Sequence, residues 1–199
     1  ILDNNSTDGT TKLIEEFIEY ISKKYGLSVK IKSKSNPDLL LRIAAVIVGI
    51  FNKRFMSSYI TTILGTIWVP DNFFNRLPRF SLEVIAHEMV HEYDRKRLGT
   101  ILFGFLYFCP QIFTIFALLS FFGGLWMLCL LFLICLLPLP SPGRMWIELR
   151  GYRTNMIYAK YVYGYTEDNL KQMAEGWIQE KFTGPDYYFM WPFKKYIVR

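Results

Sequence analysis

Apolar residues near the start of the chain recur at helical spacing. Leu13, Ile14, Phe17, Ile18 and Ile21 follow a polar, turn-rich lead, Asp3 to Thr10, and Gly26 is a natural stop. One amphipathic helix is predicted there. Residues 27–34 (LSVKIKSK) alternate apolar and basic, the period of a half-exposed strand. The run from Leu39 to Phe51 is apolar with one charge, Arg42. It is too short to cross a bilayer and predicts a core helix. Ser58 to Pro70 (SYITTILGTIWVP) is rich in β-branched and aromatic residues, so a strand is expected, closing on a turn at Pro70-Asp71. Further helices are predicted from Ser81 to Arg97, ended by Leu98-Gly99, from Met145 to Tyr163, and from Thr166 to Phe182, stopped by Gly184-Pro185. The tail is crowded with aromatic residues, and no internal repeat is visible.

The charge pattern divides this series. Residues 98–143 contain no Asp, Glu, Lys or Arg, whereas the rest of the chain has an ordinary soluble-surface charge density. The predicted organisation is therefore a polar lead with its helix (1–26), a domain made of 27–97 plus 141–199, and an uncharged hairpin (98–140). Ile101 to Phe122 and Leu125 to Leu139 are the hairpin's apolar runs, with Gly123-Gly124 as the turn and Pro110-Gln111 interrupting the first. The second run is short for a hydrocarbon core of about 30 Å, so two crossings or a shallow re-entrant hairpin are both open. Arg95, Lys96 and Arg97 before the segment, and Arg144, Arg150 and Arg153 after it, place both flanks on the cytoplasmic side. The rival reading buries residues 101–139 in a large protein assembly, such as a virus particle.

Overall composition adds exclusions. The 199 residues are 52% hydrophobic and 18% aromatic, which rules out a disordered chain. Three cysteines rule out a disulfide scaffold. All three, Cys109, Cys129 and Cys135, lie in the uncharged segment, where they read as small apolar side chains. The net charge of +6 comes with no nucleic-acid recognition motif, so no specific nucleic acid is expected. No charged segment followed by an apolar stretch and a cleavage site opens the chain, so no signal peptide is expected.

The chemistry concentrates in His87-Glu88-Met89-Val90-His91. Two imidazoles four residues apart on a helix share a face and can grip one ion. Zinc accepts such nitrogen donors, and Glu88 then sits beside the open coordination position as a general base toward water acidified by the ion. The alternative is a helix with two core histidines. The chain has no third histidine. Asp94 lies about 7.5 Å along the axis from the midpoint of the pair, too far for a short side chain, and reads as a supporting or helix-packing residue. Glu148, in Trp146-Ile147-Glu148-Leu149-Arg150-Gly151-Tyr152, is the best third ligand; its alternative role is a surface pair with Arg144 or Arg150. Glu167, Glu175 and Glu180 read as solvated faces.

HEMVHEYDRKRLG with the later ELRGYRTNM resembles the gluzincin type of zinc metallopeptidase, and within it the small bacteriophage-encoded forms with an uncharged segment between the two metal helices. The resemblance covers about residues 28–165. It implies an α+β, zincin-like domain interrupted by a hydrophobic helical hairpin, with Zn2+ held by His87, His91 and Glu148. Glu88 would be the base for hydrolysis of a peptide or protein substrate. It also implies that a strand before the site helix, Thr61–Val69 here, pairs with extended substrate. Many members carry an acid after the ligand glutamate to orient a histidine; this chain has Arg150, Gly151 and Tyr152 instead, with Tyr152 a candidate oxyanion stabiliser. A membrane-inserting or virion-assembly structural protein with a structural or vestigial metal is the competing expectation. The lead Asp3 to Thr10 also resembles the Asp-x-x-Ser-Thr-Asp-Gly-Thr loop of nucleotide-sugar glycosyltransferases. No two aspartates here form the partner Asp-x-Asp motif, and helix capping accounts for the lead.

Overall fold

The computed structural model describes residues 7–32, 39, 41–42, 60–71, 73, 78–119, 130–187 and 189–193. Most of the helix expected over Leu39 to Phe51, and residues 3–6 of the lead, lie outside them. The chain divides into two compact units, Ile1–Glu92 and Tyr93–Arg199.

In the first unit, α1 (Thr7–Tyr25) buries Ile14 and Ile21 completely and leaves its polar face in water, as its spacing predicts. Gly26 follows at φ +66, a left-handed residue that ends the helix and turns the chain into β1 (Ser28–Ile31). The expected single strand over Ser58 to Pro70 is instead a hairpin among its described residues. β2 (Thr61–Ile63) and β3 (Thr66–Val69) pair antiparallel around Leu64-Gly65, with Ile63 opposite Thr66. Both turn residues have positive φ, 45° and 82°. A two-residue loop of that hand matches the strand twist, and glycine at its second position is the sequence signal that marks it.

The sheet order is β1-β3-β2, with β1 parallel to β3. β3 is thus central, and all four of its residues are buried, while β1 and β2 are half-buried. Ile67, Val69 and Phe73 join Ile21, Leu27 and Ile85 in one core. Removing such fully buried side chains from water is worth about 1.5–3 kcal/mol each. Ile85 comes from α2 (Pro78–Leu98), which starts one turn earlier than predicted and seats its first turn through Ser81, whose buried hydroxyl donates to the Phe73 carbonyl at 3.1 Å.

The second unit begins inside α2, at Tyr93. Gly99, at φ +82, separates α2 from α3 (Thr100–Phe108). Two 3₁₀ helices follow, Gln111–Leu119 and Leu130–Leu136, and they pack on each other with Phe116 and Phe132 ring centroids 5.4 Å apart. The first apolar run is therefore not one rod. It breaks at Cys109-Pro110, where proline cannot donate the next helical bond, and bends by 90°. No single helix among the described residues is long and apolar enough to cross a membrane; Thr100–Phe108 with Gln111–Ala117 meets the length and apolarity requirement only as a bent pair.

After the uncharged stretch comes α4 (Pro142–Val162), then α5 (Glu167–Gln172), a π-helical stretch Met173–Ile178, and α6 (Gln179–Thr183). These last three run on without a break, so the helix predicted over Thr166 to Phe182 is present, with a π-helical middle. Thr166 caps α5 reciprocally with Asn169. Tyr152 of α4, Ile178, Phe182 and Met190 form the core of this unit.

Candidate metal centre

α2 carries His87 and His91 one turn apart. Ile85, two residues before His87, is fully buried in the core of the first unit, and that anchoring fixes which face of the helix is covered. Both histidines are themselves buried, at 7% and 9% exposure, and their rings meet edge to face with centroids 4.7 Å apart. On α4, Glu148 is 2% exposed, flanked by the fully buried Ile147. One ligand atom from each of His87, His91 and Glu148 lies within 4.8 Å of the others. This is the group that sequence spacing and elimination picked out. The donors fit a divalent ion: two neutral-capable imidazole nitrogens and one carboxylate oxygen, gathered out of water, are the set that a borderline metal takes when three protein ligands suffice.

Glu88 lies half-buried on the same helix. Thr62 of β2 donates its hydroxyl to Glu88 Oε2 at 2.5 Å, so the hairpin holds the carboxylate. Lys32, just past β1, is 4% exposed and donates to Thr61 Oγ1 at 3.1 Å. Burial drives its pKa down from the usual 10.5 to about 8, and the negative charge of Glu88 pulls partly the other way. Glu92 is buried on α2 as well.

Glu148 has an environment that the pattern of charges did not reveal. Tyr107 of α3 donates its hydroxyl to Glu148 Oε1 at 2.7 Å. The Arg144 guanidinium lies over the rings of Tyr107 and Tyr187, at 5.0 and 5.4 Å, and Nη1 donates to the Tyr187 carbonyl at 3.4 Å. Burial works against the Arg144 charge, but Tyr107 and the Glu148 carboxylate outweigh it and raise its pKa. Tyr187 is pushed well above the usual phenol range, first by burial and then by Glu148 and Tyr152.

The other sequence candidates fall as follows. Asp94 is buried and forms an ion pair with Arg150, Oδ2 to Nε 3.0 Å, which suits the packing role expected of it and takes Arg150 away from Glu148. Tyr152 is not one of the three grouped residues. Its ring packs among Trp177, Phe182 and Tyr187, and its hydroxyl donates to the Tyr187 hydroxyl at 2.9 Å. Glu167, Glu175 and Glu180 are exposed, the first two paired with Lys160 and Lys171. Within Thr61–Val69, only β2 lies at a sheet edge, because β3 is paired on both sides.

Sequence reasoning missed Thr62, Lys32 and Tyr107. Tyr107 left one signal, being the only tyrosine in the uncharged segment. No family of proteins, no curated protein and no solved structure matches the chain.

Proposed function

We propose that this chain is a zinc-dependent peptidase of the gluzincin type. The observation that carries the reading is the buried His87, His91 and Glu148 donor set, with a glutamate directly following the first histidine. A zinc ion held there supplies Lewis acidity toward a scissile carbonyl and brings the pKa of water toward neutrality. The chain's own residues then do the rest. Glu88 accepts the proton of the attacking water on its carboxylate and returns it to the departing amine nitrogen. Thr62 restrains the rotation of that carboxylate through its hydroxyl. The outer edge of β2 offers backbone groups to an extended substrate.

The reading extends to association with a membrane surface. Ile101, Leu102, Phe105 and Phe108 of α3, and Leu131, Ile134 and Leu137 further on, are exposed apolar residues in a stretch without charge. The 90° bend favours shallow insertion over a straight crossing. Lys96, Arg97 and Arg153 are exposed cations flanking it and favour the anionic, cytoplasmic leaflet. That same apolar surface favours a second reading, an assembly component whose metal is structural.

Cleavage of an unfolded protein such as casein, with metal content measured in parallel, separates the two. Glu88→Gln is expected to keep its metal and lose cleavage by at least 10²-fold, the usual scale of a general base. Undiminished cleavage by that variant refutes the mechanism, and a metal-loaded wild type that cleaves nothing favours the structural reading.

A further inference from the structure

We propose that Tyr107 is a positioning residue for the ligand Glu148, and that through it metal affinity depends on the seating of α3 against α4. The inference rests on the metal reading above and adds a control point within it.

α3 has two dissimilar faces. Ile101, Leu102, Phe105 and Phe108 are exposed, whereas Tyr107 turns inward and donates to Glu148 Oε1. The uncharged segment therefore supplies a polar group to the site. A glutamate's terminal torsion is broad and roughly two-fold, so an isolated carboxylate samples many orientations. A 2.7 Å hydrogen bond from a phenol restricts it, and the phenol is itself held by the Arg144 guanidinium over its ring. Outer contacts of this kind orient ligand carboxylates toward a metal.

The seating of α3 is close. A Cβ placed on Gly143, in the first turn of α4, would lie 2.6 Å from the Leu106 carbonyl oxygen and 3.1 Å from the Leu106 carbonyl carbon and Cα. These are backbone atoms, so a side chain at 143 displaces the α3 backbone at the residue before Tyr107. Gly143 thus sets the distance that the phenol must bridge.

The test uses the full chain in detergent, titrated with Co2+ and followed by its visible absorption, with Zn2+ affinity measured by competition against a chelator. Tyr107→Phe removes only the hydroxyl. It is expected to weaken both affinities 10–100-fold and to alter the Co2+ spectrum, while the melting curve in chelator stays at the wild-type position. Gly143→Ala is expected to weaken metal binding with the Tyr107 hydroxyl still present, and Glu148→Ala to abolish it. Wild-type affinity and an unchanged spectrum in Tyr107→Phe overturn the proposal and leave the metal reading standing. So does a variant that melts earlier but binds metal normally. A wild type that binds neither ion overturns the metal reading, and this inference with it.

Discussion

The ion pair between Asp94 and Arg150 joins α2 and α4, the helices that carry the candidate metal-binding residues. Asp94 lies three residues past His91 on α2, and Arg150 two residues past Glu148 on α4. Asp94 Oδ2 and Arg150 Nε are 3.0 Å apart, with the aspartate side chain 1% exposed and the arginine 29%. Two unit charges with centres about 4 Å apart attract by roughly 4 kcal/mol at an effective dielectric of about 20. Burial of Asp94 offsets part of that, and the partial exposure of Arg150 screens more. The net loss on removing one charge should fall between the roughly 0–1 kcal/mol of exposed pairs and the roughly 3–5 kcal/mol of fully buried ones. We expect about 2–3 kcal/mol for Asp94→Asn, which keeps the shape and removes the charge. At about 2–4 °C per kcal/mol for a chain of this size, the melting temperature should fall by roughly 4–12 °C. Arg150 also lies over the Trp146 ring, 5.1 Å from its centroid, so Arg150→Met alone carries a second loss. A double-mutant cycle in chelator, read by circular dichroism during urea unfolding, separates the pair from that stacking. A coupling energy of about 2 kcal/mol supports the argument. A coupling below about 0.5 kcal/mol refutes it, since the two charges would then be stabilised independently.

Two further outcomes follow from the surroundings of the site and from the apolar surface. Lys32 titrates near 8 when folded and near its usual 10.5 when unfolded, so below pH 8 both states are charged and the fold bears the cost of the buried ammonium. Between about pH 8 and 10.5 the unfolded state binds the extra proton, so this group makes stability rise with pH; urea unfolding across that window should show the rise, and Lys32→Met should flatten it while gaining about 1–2 kcal/mol at pH 7. A steeper rise in the variant than in wild type would contradict the assignment. In flotation with anionic phospholipid vesicles the wild type should rise with the lipid, and the pair Ile101→Asp, Phe108→Asp, at positions 90% and 57% exposed, should cut the bound fraction more than tenfold. A wild type that stays at the bottom of the gradient sinks the membrane proposal.

Local periodicity and a short motif fixed much of this protein without any fold. Helical spacing located α1, α2 and α4, because a helix's apolar stripe is written every three or four residues. Two histidines four apart must share a helical face, and with no other histidine in the chain an acid was the best candidate for a third donor; Glu148, the one chosen, lies with both histidines in a group that could hold a metal. The hairpin at Leu64-Gly65 was also written locally, in a two-residue turn that was read through as one strand.

What the sequence could not determine were pairings between residues distant along the chain, since hydropathy and spacing describe one element at a time. Arg144 and Arg150 are the alternative partners that the sequence offers Glu148; Arg150 pairs with Asp94 instead, while Glu148 accepts a hydrogen bond from Tyr107, 41 positions earlier. The 46 uncharged residues read as a separate greasy appendage, because charge density cannot tell which single side chain in such a stretch turns inward. That choice belongs to the tertiary structure: the packing of α3 on Gly143 of α4 brings the Tyr107 hydroxyl within hydrogen-bond reach of the buried Glu148 carboxylate.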